Sequence, residues 1–373
     1  MKKIIILGAT GSIGQSTLEL VRQNPREFKI VGISGHKNIS RLEKIADEFG
    51  ITNVLCTNGM DVGTRLIASL PNRYEKFIKA CNPDIVLNAI SGFAGLKYSV
   101  ETLKAGIPLA LSNKESLVAG GEFLMDLSRK KKTPIYPVDS EHSAIWQCLS
   151  FDPKKPFRKI YLTCSGGPLR TRKDFSRVTK KDVLAHPTWK MGEKITVDSA
   201  TLANKCLEVF EAMHLFGATR DQIEIVIHPQ SIVHSLVEFK DSSIMAQMSP
   251  PDMRLPIALA LSGGIRKKFN LPALDLRNLS LQFEAPDRKK FPTLALLDIC
   301  TKKMQNFPIV FNAANEVAVE AFLKDQISFT QIFTVIEKTI KTTKLERADS
   351  LEKICWIDQD ARERAKKSIH PVK

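Results

Sequence analysis

The sequence lacks several features that would define its class at once. No Cys-x-x-Cys pair occurs among its seven cysteines, and no apolar stretch reaches the length of about 18 residues that a membrane-spanning helix needs. We therefore expect reduced thiols, no structural zinc site, no membrane association and a cytoplasmic location. The apolar run after Met1-Lys2-Lys3 covers only Ile4 to Leu7, which is too short for a signal peptide.

Aromatic residues are also scarce, at 7%, and acidic residues are outnumbered by basic ones, 40 to 55, which gives a formal net charge of +15. This charge favours an anionic partner, either a phosphorylated small molecule or a nucleic acid. The basic runs are short, scattered and poor in aromatics, which favours a solvated surface over a nucleic-acid interface. We expect no nucleic-acid partner.

The 373 residues are 43% hydrophobic, enough for two or three globular domains. Residues 1–138 alternate apolar runs with helical patterns, and this predicts an α/β fold with a doubly wound, Rossmann-like parallel sheet. The predicted strands are 4–7, 30–33, 85–89, 109–111 and 135–138, and the predicted helices are 12–23, 94–104 and 115–130. Residues 1–138 are therefore predicted to bind a dinucleotide.

The pattern changes after Asp139. A helix is predicted over 200–216, followed by strands at 224–227, 232–239 and 244–248 that are typical of an antiparallel meander. Residues 139–262 are thus interpreted as an α/β catalytic domain with antiparallel strands. Residues 263–293 read as a linker, and 294–373 as a small C-terminal helical bundle in which 312–323 is the clearest helix.

A glycine-rich loop, Gly8 to Gly14, follows the first predicted strand and opens the first predicted helix. Glycines let a pyrophosphate approach the backbone, and the helix N-terminus offers free N–H groups to the anion. An NAD site places an acidic residue about 20 residues later, but this sequence has Ser34-Gly35-His36-Lys37-Asn38 there. Because Lys37, with His36 as a second candidate, can neutralise a 2′-phosphate, we predict NADPH; a solvated surface lysine is the alternative.

Asp139-Ser140-Glu141 is predicted to end the last strand of the first sheet, where open α/β sheets bind ligands. In extended backbone, Asp139 and Glu141 point the same way, and their repulsion favours a hard divalent ion between them. A predicted helix over 198–208 adds Glu208 on the face that also carries Asn204 and Lys205, with Ser199 at its N-terminus where an anion is stabilised. An ordinary capped helix with a Lys–Glu pair is the alternative.

Two loops complete the candidate site. Ser165-Gly166-Gly167 is able to form a second anion nest from backbone N–H groups, with a plain turn as the equal alternative. The stretch from His186 to Gly192 places Trp189 in a glycine-bounded loop, which is typical of a closing lid. The alternative is a tryptophan packed in the core.

Together these motifs closely resemble the 1-deoxy-D-xylulose 5-phosphate reductoisomerase family over essentially the whole chain. The matching residues are Gly8–Gly14, Asn113–Val118, Pro137–Ala144, Ser165–Pro168, His186-Pro187, Trp189, Asp198–Thr201, Asn204, Lys205, Glu208, His228–Ser231, Pro251–Arg254 and Asn312–Glu316. The resemblance implies a homodimer that needs NADPH and Mg²⁺ or Mn²⁺, with Co²⁺ as a further candidate.

The resemblance also implies a role for each site residue. The NADPH set is Thr10, Gly11, Ser12, Ile13, Gly35, Lys37, Asn38, Asn113, Glu115 and Gly192. The metal ligands are Asp139, Glu141 and Glu208. The substrate set is Lys114, Ser140, Glu141, Ser165, His186, Trp189, Ser199, Asn204, Lys205 and Glu208. The catalytic residues are Lys114, Asp139, Glu141 and Glu208, and Lys114 and Glu141 both stay open as the acid–base group.

The implied reaction converts 1-deoxy-D-xylulose 5-phosphate, a sugar phosphate, to 2-C-methyl-D-erythritol 4-phosphate in the non-mevalonate isoprenoid pathway. Two other functions remain as alternatives. One is another NADP-dependent oxidoreductase, such as a semialdehyde dehydrogenase, with Cys164 beside the Gly-Gly turn as nucleophile. The other is a basic protein that senses NADPH and binds nucleic acid, motivated by the net charge of +15.

Overall fold

The structure, a computed structural model, describes residues 1–57 and 73–369. The strands are β1 Lys2–Leu7, β2 Phe28–Gly35, β3 Val54–Cys56, β4 Ile85–Asn88, β5 Leu109–Leu111, β6 Ile135–Pro137, β7 Lys159–Cys164, β8 Ile223–Ile227, β9 Val233–Glu238 and β10 Ile244–Met248. The helices are α1 Ser12–Gln23, α2 Ile39–Phe49, α3 Arg73–Cys81, α4 Gly95–Lys104, α5 Lys114–Lys131, α6 Ser140–Cys148, α7 Lys180–Leu184, α8 Glu193–Ala200, α9 Ala203–Phe216, α10 Arg254–Leu261, α11 Thr293–Thr301, α12 Phe307–Leu323, α13 Phe329–Lys341 and α14 Leu351–Lys367.

The chain divides into two compact units. The first comprises Met1–Ser116, Leu124–Ser143 and Asp252–Ala273, and the second comprises Leu117–Phe123, Ala144–Pro251 and Leu274–Lys373. The domain boundaries given above, after residues 138, 262 and 293, stay predictions. Residues 58–72 of the predicted first domain and 370–373 of the predicted last one lie outside the described residues. Within the described residues, no helix combines the length and apolar character needed to cross a bilayer.

The first unit contains a six-stranded parallel sheet in the order β3-β2-β1-β4-β5-β6. This confirms the doubly wound sheet. Its central strand β1 is buried on both faces, because Ile4 and Ile6 pack into one hydrophobic cluster and Ile5 and Leu7 into another. An uninterrupted apolar run is therefore what this strand requires.

One face of this sheet is covered partly by a distant segment of the chain. Ile257, Ala258, Ala260 and Leu261 of α10 belong to the same cluster as Ile4. Apolar burial of this kind contributes roughly 25 cal/mol per Å² removed from water. Helix α10, which follows β10 and precedes α11 in the chain, thus completes the core of the first unit.

The second unit contains a four-stranded sheet in the order β10-β9-β7-β8. The predicted antiparallel meander is right for β9 and β10, which form a hairpin, and wrong for β8. Strand β8 pairs in parallel with β7, which the sequence analysis did not identify, and β7 separates it from β9. The pairing depends on a partner far along the chain, and local alternation carries no information about that partner.

The helices from α11 to α14 confirm the helical character of the C-terminal region. The predicted helix over 312–323 is the second part of α12, most of which is buried. The predicted helix over 200–216 is correct only from Ala203 onward. Ala200 ends α8 and Leu202 takes a left-handed backbone conformation with φ 57°, so the chain turns a corner there.

Candidate active site

The glycine loop lies against the carboxyl ends of β1 and β2. Gly8 has a φ of 80°, its N–H donates to Ser34 Oγ at 3.1 Å, and the Ala9 N–H donates to the Ser34 carbonyl at 2.8 Å. A Cβ atom on Gly14 would lie 2.5 Å from the Gly8 carbonyl oxygen. Glycine is therefore needed at positions 8 and 14 for the close approach of loop and helix.

Helix α1 is open to an anion at its N-terminus. Its cap residue is Gly11, and among the described residues no side chain caps this end and no acidic residue occupies its first turn. The N–H groups of the first helical turn carry partial positive charge and attract a pyrophosphate. Gly11 and Ser12 are exposed, whereas Thr10 and Ile13 are half-buried. This cradle fits the phosphates of a dinucleotide.

The residues predicted to select the 2′-phosphate follow β2. Gly35, the last residue of β2, is buried, and Lys37 and Asn38 are exposed just beyond it. Asn38 caps α2, because its side-chain oxygen accepts the Arg41 N–H at 3.1 Å. Ser34, near the end of β2, contacts the glycine loop directly. Lys37 follows Ser34 by three residues, so its backbone lies close to the glycine loop.

Asn113 fixes the start of α5, on which Lys114 and Glu115 lie. Its side-chain amide donates to the carbonyls of Ile90 and Gly92 and to Glu115 Oε2, at 2.7 to 2.9 Å. Its oxygen accepts the Ser116 N–H at 3.0 Å and so caps the helix. The backbone of Lys114 is consequently held rigidly to the loop after β4.

Lys114 is buried and forms an ion pair with Asp139, with 2.6 Å between Nζ and Oδ2. The prediction that Asp139 and Glu141 share an extended strand is wrong, because β6 ends at Pro137 and Ser140 begins α6. Asp139 directly precedes α6, and its Oδ1 accepts the N–H of Ser140, the first residue of that helix, at 3.0 Å. Glu141 therefore lies on the first helical turn, where the Ser140 hydroxyl donates to its Oε2 at 2.6 Å.

A buried polar cluster lies on α9 of the second unit. Lys205 and Glu208 are 2% and 0% exposed and form an ion pair, and the Asn204 side-chain amide donates to the other oxygen of Glu208. Burying such charges is costly unless they are paired and hydrogen-bonded. The predicted common face of Asn204, Lys205 and Glu208 is confirmed.

Ser199 does not lie at the N-terminus of the helix that carries Glu208, so that prediction is wrong. It belongs to the last turn of α8, and α9 begins only at Ala203. The Thr201 hydroxyl explains the break, because it donates to the Val197 carbonyl at 3.2 Å and accepts the Ala203 N–H at 3.3 Å. A short hydroxyl side chain thereby bonds both to the last turn of α8 and to the first N–H group of α9.

Ser165 and His186 are in direct contact, with Ser165 Oγ 3.0 Å from His186 Nε2. His186 Nδ1 accepts the backbone N–H groups of Thr188 and Trp189 at 3.2 and 3.0 Å. A nitrogen that accepts two such bonds carries no proton, so the ring is neutral and Nε2–H is the donor. Burial agrees with this, because it lowers the pKa of His186.

The glycine turn after Ser165 packs against the backbone of α8. Gly166 and Gly167 have φ values of 82° and 71°, and a Cβ atom on Gly167 would lie 2.5 Å from the Ser199 carbonyl oxygen. The Gly167 N–H donates to Ser165 Oγ at 3.1 Å. Ser165, His186 and Ser199 are thus brought together in the second unit.

Trp189 is half-buried, and its ring meets the buried His234 edge-on, with 6.3 Å between ring centroids. Gly192 is exposed and caps α8, with no side-chain bond at this cap among the described residues. The sequence analysis missed His234 and Thr201. The available signals were a histidine inside the predicted strand 232–239 and a threonine in the Asp198–Thr201 motif.

Comparison with known proteins gives a consistent result. Sequence models of the family described as 1-deoxy-D-xylulose 5-phosphate reductoisomerase match residues 4–121, and models of the C-terminal domains of that enzyme match 135–216 and 248–364. The enzyme of that name from Desulfitobacterium hafniense is 42% identical and aligns over 99% of this chain and 100% of its own length. The one from Chloroherpeton thalassium is 44% identical over 97% of each chain.

Solved structures of this enzyme are also similar throughout. The one from Zymomonas mobilis, in complex with NADPH, superposes with a TM-score of 0.86 at 36% identity and covers 100% of both chains. Another, in complex with NADPH, fosmidomycin and magnesium, gives a TM-score of 0.87 at 36% identity over 99% of this chain and 98% of the other.

Proposed function

The chain belongs to the 1-deoxy-D-xylulose 5-phosphate reductoisomerase family. On this basis we propose that it catalyses the reaction of that family, and we propose a role for each site residue. The activity is the NADPH- and divalent-metal-dependent rearrangement and reduction of 1-deoxy-D-xylulose 5-phosphate to 2-C-methyl-D-erythritol 4-phosphate, a step of the non-mevalonate isoprenoid pathway. Full-length identity above 40% to enzymes of that name is the observation that carries this conclusion.

Asp139, Glu141 and Glu208 would hold the divalent cation. They offer only carboxylate oxygens, which suit Mg²⁺ or Mn²⁺. The ammonium groups of Lys114 and Lys205 pair with Asp139 and Glu208, so a bound cation would share these two carboxylates with the lysines. When bound, the ion acts as a Lewis acid toward substrate oxygens.

The phosphate group of the substrate would bind Ser165, His186, Ser199, Asn204 and Lys205. The neutral His186 offers its Nε2–H, and the Ser165 and Ser199 hydroxyls lie on the turn and helix that Gly167 holds together. Lys205 adds a buried positive charge. Since the phosphate is remote from the bonds that change, its binding energy is available to orient the substrate.

Lys114 would hold or move a proton at its Nζ, with Glu141 and Ser140 contacting the substrate beside it. A lysine near a helix N-terminus opposes the helix dipole and so costs stability unless it is paired. The ion pair with Asp139 offsets this cost and fixes the position of Nζ. We propose the acid–base role for Lys114, whose Nζ this pair holds in place, and Glu141 stays the alternative.

NADPH, which supplies the hydride that reduces the rearranged aldehyde, would lie on Thr10 to Ile13 and on Gly35, Lys37, Asn38, Asn113, Glu115 and Gly192. The glycine cradle and the uncapped N-terminus of α1 support the pyrophosphate position. Asn113 and Glu115 are both buried at the start of α5.

We expect NADPH to be preferred strongly over NADH because of Lys37. This exposed ammonium stands where an NAD site carries a carboxylate. Lys37→Ala should reduce the ratio of kcat/KM for NADPH to that for NADH by about tenfold, as loss of one charged hydrogen bond predicts. Lys29→Ala, at an exposed lysine near the start of β2, is the control. An unchanged ratio in Lys37→Ala would contradict the assignment.

Trp189 is expected to act by covering the substrate. Trp189→Ala should raise KM for the sugar phosphate by about tenfold while the Kd for NADPH stays unchanged. Its half-buried ring contacts His234, so the variant loses some packing. Trp146→Ala, which removes a buried tryptophan, gives the loss of stability expected for a core residue. If both variants lose stability equally and Trp189→Ala keeps its KM, Trp189 is a core residue.

The direct test follows NADPH oxidation with 1-deoxy-D-xylulose 5-phosphate, with and without Mg²⁺ or Mn²⁺. Turnover that a chelator abolishes and metal restores is expected. The dehydrogenase alternative predicts instead that alkylation of Cys164 abolishes activity. The nucleic-acid alternative predicts binding with a steep dependence on salt.

The protein is further proposed to act as a homodimer in the cytoplasm. Strand β10 is an edge strand, and Ile244 and Met245 on it are exposed, at 53% and 48%. In the described part of the chain no other strand pairs with its outer side. Pairing with a second copy would cover this edge. Light scattering coupled to size-exclusion chromatography measures the mass of the protein in solution, which should be twice that of one chain.

A further inference from the structure

The corner between α8 and α9, residues 198–203, is held by a buried carboxylate. Asp198 is 1% exposed, and its Oδ1 accepts a hydrogen bond from the side-chain amide of Asn315 at 2.7 Å. Lys194 Nζ lies 2.9 Å from Asp198 Oδ2. Both oxygens of Asp198 are therefore bound, one of them to a helix more than 100 residues later in the chain.

A second bond reaches the same corner from another helix. The hydroxyl of Thr293, the first residue of α11, donates to the Thr201 carbonyl at 2.6 Å, and Thr293 is fully buried. Thr201 directly precedes Leu202, whose left-handed backbone costs about 1 kcal/mol or more in a residue with a side chain. The corner keeps this conformation because the surrounding helices fix it.

Asn315 is an unusual residue for its position in α12. Its neighbours Ala313, Ala314 and Val317 are buried and apolar, and Asn315 itself is 0% exposed. A buried amide costs stability unless it is hydrogen-bonded, and asparagine is a weak helix former. The bond to Asp198 satisfies its donor group. Packing alone would be better served there by an aliphatic side chain.

We propose that Asn315 and Thr293 are positioning residues for phosphate binding: through Asp198 and Thr201 they fix the corner that directs Ser199, Asn204 and Lys205. The inference rests on the proposed function, which assigns the phosphate to these three residues. The backbone of Ser199 touches Gly167, so a shift of the corner also disturbs the turn after Ser165. The C-terminal helices thereby contribute to substrate orientation without touching the substrate.

Asn315→Leu tests the first bond, and Asn312→Leu is the matched control. Asn312 is also 0% exposed and lies one turn earlier on α12, but its amide donates to Glu316 Oε1 in the same helix, at 3.1 Å. Both variants change a buried amide to an aliphatic group. Only Asn315→Leu loses the bond to the corner.

The informative readout compares 1-deoxy-D-xylulose 5-phosphate with 1-deoxy-D-xylulose, which lacks the phosphate. Asn315→Leu should lower kcat/KM for 1-deoxy-D-xylulose 5-phosphate by about 10- to 100-fold, because a small displacement of the phosphate-binding residues lowers the rate by about this factor. The kcat/KM for 1-deoxy-D-xylulose should stay unchanged. Asn312→Leu should leave the ratio of the two values unchanged. An equal fall for both substrates in Asn315→Leu would overturn the proposal, because it marks a purely structural role.

Thr293→Val gives an independent test if the leucine variants do not fold. It removes one hydroxyl with almost no change of shape, and Thr339→Val is its control, because the buried Thr339 hydroxyl donates to Val335 within α13. Thr293→Val should weaken binding of inorganic phosphate several-fold, and Thr339→Val should not. Equal affinity in both overturns the inference. Weakened phosphate binding in Thr293→Val alone supports it even if the wild-type protein does not turn over the sugar phosphate, an outcome that would refute only the proposed function.

Discussion

Glu208→Gln is expected to lose most of its metal affinity and to lower kcat by about 100-fold or more, because a bound cation stabilises developing charge by several kcal/mol. Glu208 is fully buried, and both its oxygens are bound, by Asn204 and Lys205. The substitution keeps the size of the side chain and removes one negative charge. Calorimetric titration with Mn²⁺ measures the affinity, and kcat should recover partly at high Mn²⁺.

The same variant separates the metal site from the phosphate site. Without the carboxylate, the buried ammonium group of Lys205 loses its ion pair with residue 208, so the free energy of unfolding should fall. Inorganic phosphate can pair with Lys205 and should therefore stabilise Glu208→Gln more than it stabilises the wild type. Thermal melts with and without phosphate measure this difference.

Glu224→Gln is the control for this experiment. Glu224 on β8 also pairs with a lysine, Lys159 on β7, at 2.9 Å, but both side chains of this pair are accessible to solvent. Exposed pairs contribute about 1 kcal/mol or less, so this variant should keep its stability, metal affinity and turnover. Full activity of Glu208→Gln in the presence of a chelator would falsify the metal assignment.

The sequence was most informative where local signals agree. The predicted helix over 12–23 matches α1 at both ends, because the glycine loop before it and Asn24-Pro25 after it both stop regular structure. The strand 109–111 also matches β5. In each case, the pattern of apolar residues and the flanking residues specify the same element.

The arrangement of the second sheet was not predictable in this way. Strand β7 lies between β8 and β9 although it precedes α7, α8 and α9 in the chain. Its pairing with β8 is set by packing between elements that are distant in sequence. Alternation of side chains specifies which face of a strand is buried, but it does not specify its neighbour.

At the site, the types of residue were easier to infer from the sequence than the secondary-structure elements on which they lie. The common face of Asn204, Lys205 and Glu208 follows from helical spacing and is confirmed, whereas the positions of Glu141 and Ser199 were misjudged. Each error comes from a side chain that bonds to the nearby backbone: Asp139 at the start of α6, and Thr201 between α8 and α9. Such residues favour several turn and cap conformations, and tertiary contacts select among them.

Lys114→Met should lower kcat by about 10²- to 10⁴-fold, the usual contribution of a general acid or base, and leave metal affinity intact or higher. Lys114 Nζ is 2.6 Å from Asp139 Oδ2, and loss of the ammonium group leaves that carboxylate more available to a cation. This combination differs from that of Glu208→Gln, in which turnover and metal affinity fall together. Single-turnover kinetics and Mn²⁺ titration distinguish the two variants.

Lys114→Arg then separates proton transfer from charge. A guanidinium group keeps the positive charge and the ion pair with Asp139, but it does not release a proton at any pH the protein tolerates. Asn113 fixes the backbone at this position, so α5 should stay in place while the larger guanidinium group packs into the buried site of Lys114 at some cost in stability. We expect Lys114→Arg to stay folded with some loss of stability, to retain metal affinity and to be nearly as slow as Lys114→Met. Turnover close to wild type would mean that Lys114 supplies only charge, and the proton would then have to be handled by Glu141.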